Sequence, residues 1–255
     1  MNVKYPVEAL ALSMILFSTN MKEAFIAGAF ILVAVTWAMF LRNWLMDCIP
    51  DWSIIACVSI SAAVVCACSF QAGDYFLKLD FTWRTYLIAI AAGLLAGKHV
   101  LQEEATEHYG ELFYEMAIGW GVFLILSAVR EFLSFGSIAG NHLADPVFAA
   151  KTFQKTMFGY LTAGMGIAFT NGILKKTVAK ADAMLAAFAV AIVFPPISLK
   201  SYPEAATAVA GIFVVLVCLY SIQKRIAYSD TGKAFRKLPV ELLSLGFLYM
   251  ILSVF

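Results

Sequence analysis

The stretch VEALALSMILF at 7–17, followed by STNMKE at 18–23 and AFIAGAFILVAVTWAMF at 24–40, decides how the chain is read. From Val7 to Phe17 the residues are apolar apart from Glu8 and Ser13. A polar knot containing Asn20, Lys22 and Glu23 comes next, and a second apolar run starts at Ala24. A membrane-spanning helix needs roughly 20 apolar residues, so the first run is too short on its own. Polar groups at membrane depth persist only where protein or a water-filled cavity satisfies them. Many secondary transporters build midplane sites from discontinuous helices, with free helix ends turned toward an ion or substrate. The pattern therefore predicts a break at 18–23, with Asn20 turned into the protein and Lys22 and Glu23 paired or hydrated.

Composition defines the class. Hydrophobic residues make up 62% of the chain and charged residues 14%, against about 25% charged in soluble domains. Mean hydropathy is +0.84. A net charge of +1 leaves no basic footprint for nucleic acid. MNVKYP at 1–6 leads into a stretch without a small-residue cleavage site, so no cleavable signal peptide is expected. These features predict an all-α polytopic transmembrane bundle, a single integral membrane domain over 1–255. Its first helical group covers 1–129 and its second 130–255.

Further apolar runs place spans near 52–70, 86–97, 112–129, 157–174, 181–199, 205–222 and 239–255. The run at 86–97 is short, so it is either broken or continues through His99, Val100 and Leu101. Counting the broken N-terminal segment as one crossing gives about eight spans. Pro195 and Pro196 should kink or end the helix that holds them. Trp37, Trp44, Trp52, Tyr75 and Trp83 fall near expected span ends, where amphipathic rings favour the interface.

Basic residues set an expected orientation. With Lys22 left out of the count, one side holds Lys4, Lys78, Arg84, Arg130, Lys151, Lys155 and Lys200. The other holds Arg42, Lys98, Lys175, Lys176, Lys180, Lys224, Arg225, Lys233, Arg236 and Lys237, seven against ten. The positive-inside rule then puts the loops at 175–180 and 223–237 in the cytoplasm and both termini outside.

Three stretches carry a family resemblance. FSTNMKEAFIAG at 17–28 resembles the first broken helix of the small membrane subunits of Rnf and Nqr redox pumps. Those subunits carry an aromatic, then Glu-Asn-Met, then an apolar run with Gly before a cysteine. IQKRIAYSD at 222–230, with Leu238 and Pro239 beyond, is similar to the last connection of the A/E-type subunits, through Lys224, Arg225, Tyr228, Ser229 and Asp230. VREFLSFGSIAG at 129–140 resembles the Arg-Glu…Gly…Gly signature of the D/E-type partners, through Arg130, Glu131 and Gly136.

The resemblance implies broken helices meeting at the midplane, in an inverted-repeat-like arrangement that rocks between inward- and outward-open states. It also implies partners: other membrane and redox subunits of an electron-transport complex in a bacterial inner membrane. In the family, cysteines of the broken helices bind an iron–sulfur centre. Here Phe30 stands at the matching position, and GLLAG at 93–97 has no cysteine. The expectation is that this chain supplies no iron ligand. An iron–sulfur (2Fe-2S) cluster and flavin are then expected only in partner subunits. Of Cys48, Cys57, Cys66, Cys68 and Cys218, the pair at 66 and 68 falls on different helix faces, which makes shared ligation awkward. A buried free cysteine ordinarily acts as a small hydrophobe.

The richest polar stretch is KHVLQEEATEHYGELFYE at 98–115. On one continuous helix His99, Glu103, Glu107, Glu111 and Glu115 recur at i,i+4, and Glu104 with His108 makes another such pair. That arrangement could collect a divalent cation, with His99, Glu103 and Glu107 as weak candidates, or pass protons; a solvated interfacial helix is the plainer reading. Glu115 enters the next span and would need a partner there, as would Asn171. Gly119, Gly121, Gly164 and Gly166, and the Gly159/Ala163 pair, suit close helix packing. No nucleophile–base pair, phosphate loop, zinc spacing or dinucleotide fingerprint is present, so no catalytic residue is expected.

Two functions follow. One is a membrane subunit of an Rnf/Nqr-type translocase coupling electron flow to Na⁺ or H⁺ movement, with Asn20, Lys22, Glu23, Glu115 and Asn171 as ion-path candidates. The other is a stand-alone transporter or channel built on similar broken helices.

Overall fold

The computed structural model describes residues 7–79, 81–102, 109–144, 150–174, 189–190, 193–194, 204–225 and 240–252. Their fold is all-α, with eight helices: α1 (Val7–Phe17), α2 (Met21–Leu45), α3 (Asp51–Leu77), α4 (Trp83–Gln102), α5 (Tyr109–Phe135), α6 (Thr156–Leu174), α7 (Glu204–Arg225) and α8 (Val240–Leu252). Between α5 and α6 lie a two-stranded hairpin, Ser137–Ile138 with Asn141–His142, and a short 3-10 turn, Lys151–Gln154.

Four helices, α2, α3, α5 and α6, are long and apolar enough to cross a membrane. Their outward faces carry Phe25, Ile60, Ile125 and Ile173, all more than half exposed. In water such faces would aggregate, whereas in hydrocarbon they are solvated. This fits a multi-pass membrane protein. The run at 86–97 continues without interruption through Leu101, inside the 20-residue α4. Most of the expected span at 181–199, with its two prolines, lies outside the described residues.

The chain leaves helical geometry at 18–20. Asn20 is extended at φ −134°, and its N–H bonds the carbonyl of Phe17 at 3.3 Å. The course on either side differs from a single broken crossing. Leu10 packs on Gly119 while Ser18 meets Ser127, so α1 runs in the same sense as α5. Gly28 packs under Trp120 and Asn43 reaches the Tyr109 hydroxyl, so α2 runs in the opposite sense. The chain therefore reverses at the knot. α1 is about 16 Å long and packs against α2, α4, α5 and α6. Ala9, Leu10, Ala11, Leu12, Met14 and Ile15 are all buried. A helix that is apolar all round must be enclosed all round.

The reversal changes the orientation count. α3 is antiparallel to α2, because Phe30 meets Phe70 and Trp37 donates to Ser61. The start of α2 thus shares one end of the bundle with Lys78 and Arg130. Lys22 therefore counts with Lys78 and Arg130, whereas the reversal removes the ground for counting Lys4 on that side. Trp44, Trp52, Tyr75 and Trp83 are exposed at or near helix ends, but Trp37 sits two turns inside α2 and spends its indole N–H on Ser61 at 2.7 Å.

Local chemistry fixes the connections. Asp74 closes the α3–α4 turn, accepting from the Phe81 N–H at 3.0 Å and the Tyr86 hydroxyl at 2.6 Å. Gly136, at φ +67°, ends α5 in the left-handed region that favours glycine. Its carbonyl accepts from the Leu143 and Ala144 N–H groups, tying down the return of the hairpin.

Candidate functional site

The end of the bundle where α1 gives way to α2 holds two adjacent buried charges. Arg130 is 2% exposed and Glu131 4%. The Arg130 Nε donates to the Phe153 carbonyl at 2.7 Å, and Nη2 to the carbonyls of Gln154 at 3.1 Å and Lys155 at 2.9 Å. Nη1 donates to the Ser18 hydroxyl. Ser127, one turn earlier on α5, donates to the Ser18 carbonyl at 3.2 Å. Glu131 faces the other way: one oxygen accepts from the Met21 N–H at 2.8 Å, the other from the Gly140 N–H at 2.9 Å and the Ser137 hydroxyl at 3.3 Å.

Helix electrostatics explains the pairing. The C-terminal end of α1 presents carbonyls and partial negative charge, whereas the N-terminal end of α2 presents N–H groups and partial positive charge. Consecutive residues of α5 deliver a guanidinium to the first and a carboxylate to the second. Glu131 is held in part by the Met21 N–H that the reversal leaves exposed, whereas Arg130 touches the reversal through the Ser18 hydroxyl and is otherwise held by the carbonyls of 153–155. Buried charges are tolerated on those terms.

The ion-path candidates fall into two groups. At the reversal, Asn20 caps α2, its Oδ1 accepting from the Lys22 N–H at 3.0 Å, and its Nδ2 lies 3.4 Å from a Glu23 oxygen. Asn20 and Glu23 are half-buried and Lys22 is exposed. The Lys22 ammonium lies beside Gly140, where a Cβ would approach it to 3.3 Å. Glu115 and Asn171 are also buried, and neither lacks a partner. They lie elsewhere, because Gly119 approaches Thr170 at the level between them, and Glu115 is about 24 Å along α5 from Glu131 at 1.5 Å per residue.

Several expected groupings dissolve. α4 ends at Gln102 and α5 begins at Tyr109, so His99, which is buried, and Glu111, which is exposed, belong to different helices. Glu103, Glu104, Glu107 and His108 lie outside the described residues. So do Tyr228, Ser229, Asp230, Leu238 and Pro239; the backbone of Lys224 and Arg225 forms the end of α7. Of the glycines, Gly159 lets α6 meet the Ile15 carbonyl and Gly166 admits Phe123, while Gly121 has open space before it.

Where the resemblance would place cluster ligands, the residues do not fit one. The Phe30 ring packs edge-on against Phe70 at 5.2 Å and fills the space over Gly73. Cys66 is buried, whereas Cys48, Cys57 and Cys68 face outward. Among the described residues no three His, Cys, Asp or Glu side chains come together as a metal site. Sequence reading missed Ser18, Ser127 and Ser137 as partners. Ser127 alone had a signal, three residues before Arg130 and so on the same helix face. No known protein family, curated protein or solved structure matches the chain.

Proposed function

We propose that this chain is a multi-pass membrane subunit of the Rnf/Nqr type. It would work in a bacterial inner membrane, within an electron-transport complex that couples redox chemistry to Na⁺ or H⁺ movement. One observation carries the reading. Two of the three family-like stretches, 17–28 and 129–140, meet through the Met21 N–H to Glu131 bond and the Arg130 to Ser18 bond, although they are more than 100 residues apart. In this reading the signature residues hold the chain reversal, and so hold the short α1 upright in the centre of the bundle. Asn20, Lys22 and Glu23 line the end of any ion path that opens there, with Glu115 and Asn171 deeper. Broken helices of this kind and a partner inserted in the opposite sense would supply the inverted repeat needed for alternating access. Electron carriers would belong to partner subunits, since Phe30 stands at the expected ligand position and the described thiols, Cys48, Cys57, Cys66 and Cys68, do not come together with other ligands.

The test is the composition of the complex purified from native membranes in mild detergent. Flavin- and iron–sulfur-bearing subunits in fixed ratio to this chain are the expected result. A lone homo-oligomer that moves ions in proteoliposomes would instead make it a stand-alone transporter.

A further inference from the structure

Beside the reversal, a groove of about 330 Å³ opens on the outer face of the bundle. Leu124, Ile125, Val129 and Phe132 line it along α5, and Met21 and Ile138 line it at the end beside the reversal. Every lining side chain is apolar. Ile125 is 67% exposed and Val129 50%, so the groove opens sideways, where a spanning helix meets acyl chains. The end beside the reversal is different. Lys22 follows Met21 directly, is exposed, and stands beside Gly140 of the hairpin. Its ammonium makes no ion pair among the described residues, because the neighbouring carboxylates are committed elsewhere. Glu23 turns to Asn20, and Glu131 to the N–H groups of Met21 and Gly140. Lys22 also lies level with the last turn of α5, where a headgroup layer would begin.

We propose that this groove binds one anionic phospholipid, with an acyl chain along Ile125 and Val129 and its phosphate on Lys22. An apolar channel ending beside a cation that has no ion pair among the described residues is complementary to a molecule with a long apolar tail and a negative head. A neutral partner helix would fill the channel and leave the charge unanswered. The inference rests on membrane placement and not on the redox role, so the two can fail separately.

The test uses the full chain, with its complex where one co-purifies, extracted in mild detergent and read by native mass spectrometry. Phosphatidylglycerol and phosphatidylcholine are added back in equal amounts. The wild type should retain one phosphatidylglycerol per chain with a roughly fivefold preference, the factor that one lysine near an anionic surface supplies. Lys22→Gln should still hold a lipid but lose the preference. Val129→Trp, at an exposed position that tolerates bulk, should lose bound lipid of both kinds, with an unchanged melting temperature showing that the fold survives. If Val129→Trp does not fold, Ile125→Trp takes its place. Equal retention of both lipids by the wild type, an undiminished preference in Lys22→Gln, or full lipid retention by a folded groove-filling variant would each overturn the proposal. So would a wild-type dimer that the groove-filling variant separates.

Discussion

The α3–α4 and α1–α5 interfaces join helices in the same bundle by opposite means. Between α3 and α4 backbone and small side chains come into close contact over two turns, with the Asp74–Tyr86 hydrogen bond at one end. A Cβ on Gly93 would lie 2.6 Å from the Ala62 carbonyl and the Ala63 Cα, and one on Gly97 3.0 Å from the Ser59 Cα. Where α1 gives way to α2, polar and charged side chains of α5 do the joining: Arg130 and Ser127 hold Ser18, and Glu131 holds the Met21 N–H. Two continuous helices satisfy their own backbones, so close packing suffices to associate them. A chain that reverses inside the bundle exposes helix-end carbonyls and N–H groups, which hydrocarbon cannot solvate. At 18–21 polar side chains of α5 supply that solvation.

The comparison is easiest to break at Arg130. Arg130→Met would leave three carbonyls and a serine hydroxyl without their donor. A buried polar group left without its partner costs about 1–3 kcal/mol, and four are affected at once. The expected result is a large fall in the unfolding midpoint in detergent, followed by circular dichroism. Arg130→Lys should recover only part of it, because an ammonium cannot reach four acceptors spread around a planar fork. A midpoint near wild type for Arg130→Met would mean that the reversal is held by packing alone.

The small-residue interface should respond less. Gly93→Val pushes two backbones apart, and overpacking of this kind costs about 1–3 kcal/mol. Unlike the arginine change, it should leave the environment of Trp120 over Gly28 undisturbed, which tryptophan fluorescence can follow. A larger loss from Gly93→Val than from Arg130→Met would reverse the ranking of the two interfaces.

How much of this could be read from the sequence depends on the range of the interaction. Run lengths of 11 and 17 residues around STNMKE mark the interruption, because spanning length is a property of consecutive residues. Whether the chain crosses or reverses there is not written in run lengths. It depends on Ser18 finding Arg130, 112 residues away. Three of the four acceptors on Arg130 are carbonyls at 153–155, which any residue type could supply, so no pattern announces them. The i,i+4 series from His99 to Glu115 misled for a related reason. Periodicity describes faces only within one helix, and His99 and Glu111 stand on two helices, α4 and α5, that run in opposite senses.

A change at the reversal that leaves its charges alone should be milder. Asn20→Ala removes the side-chain acceptor for the Lys22 N–H, and an N-cap is worth about 1 kcal/mol. Asn20→Asp should restore most of that stability, since a carboxylate also caps and suits the start of α2. If Asn20→Ala cost as much as Arg130→Met, the turn itself and not the buried charges would hold the reversal.

The smallest effect is expected at the rim, where the two modes can be compared without burial. Trp37 of α2 donates to Ser61 of α3 at 2.7 Å, and Trp37 is 41% exposed. An interhelical hydrogen bond in a membrane averages about 0.6 kcal/mol, because the separated helices find other partners. Ser61→Ala also replaces a small residue with another small one, so the close approach of the helices is preserved. The expected loss is therefore close to that average in the same detergent unfolding measurement. A Trp37→Phe variant should lose a similar amount, and the double variant little more than either alone, since both changes remove the same bond. A loss above about 2 kcal/mol, outside the range measured for such bonds, would mean that polar contacts govern the continuous helices too. The contrast with the α1–α5 interface would then collapse.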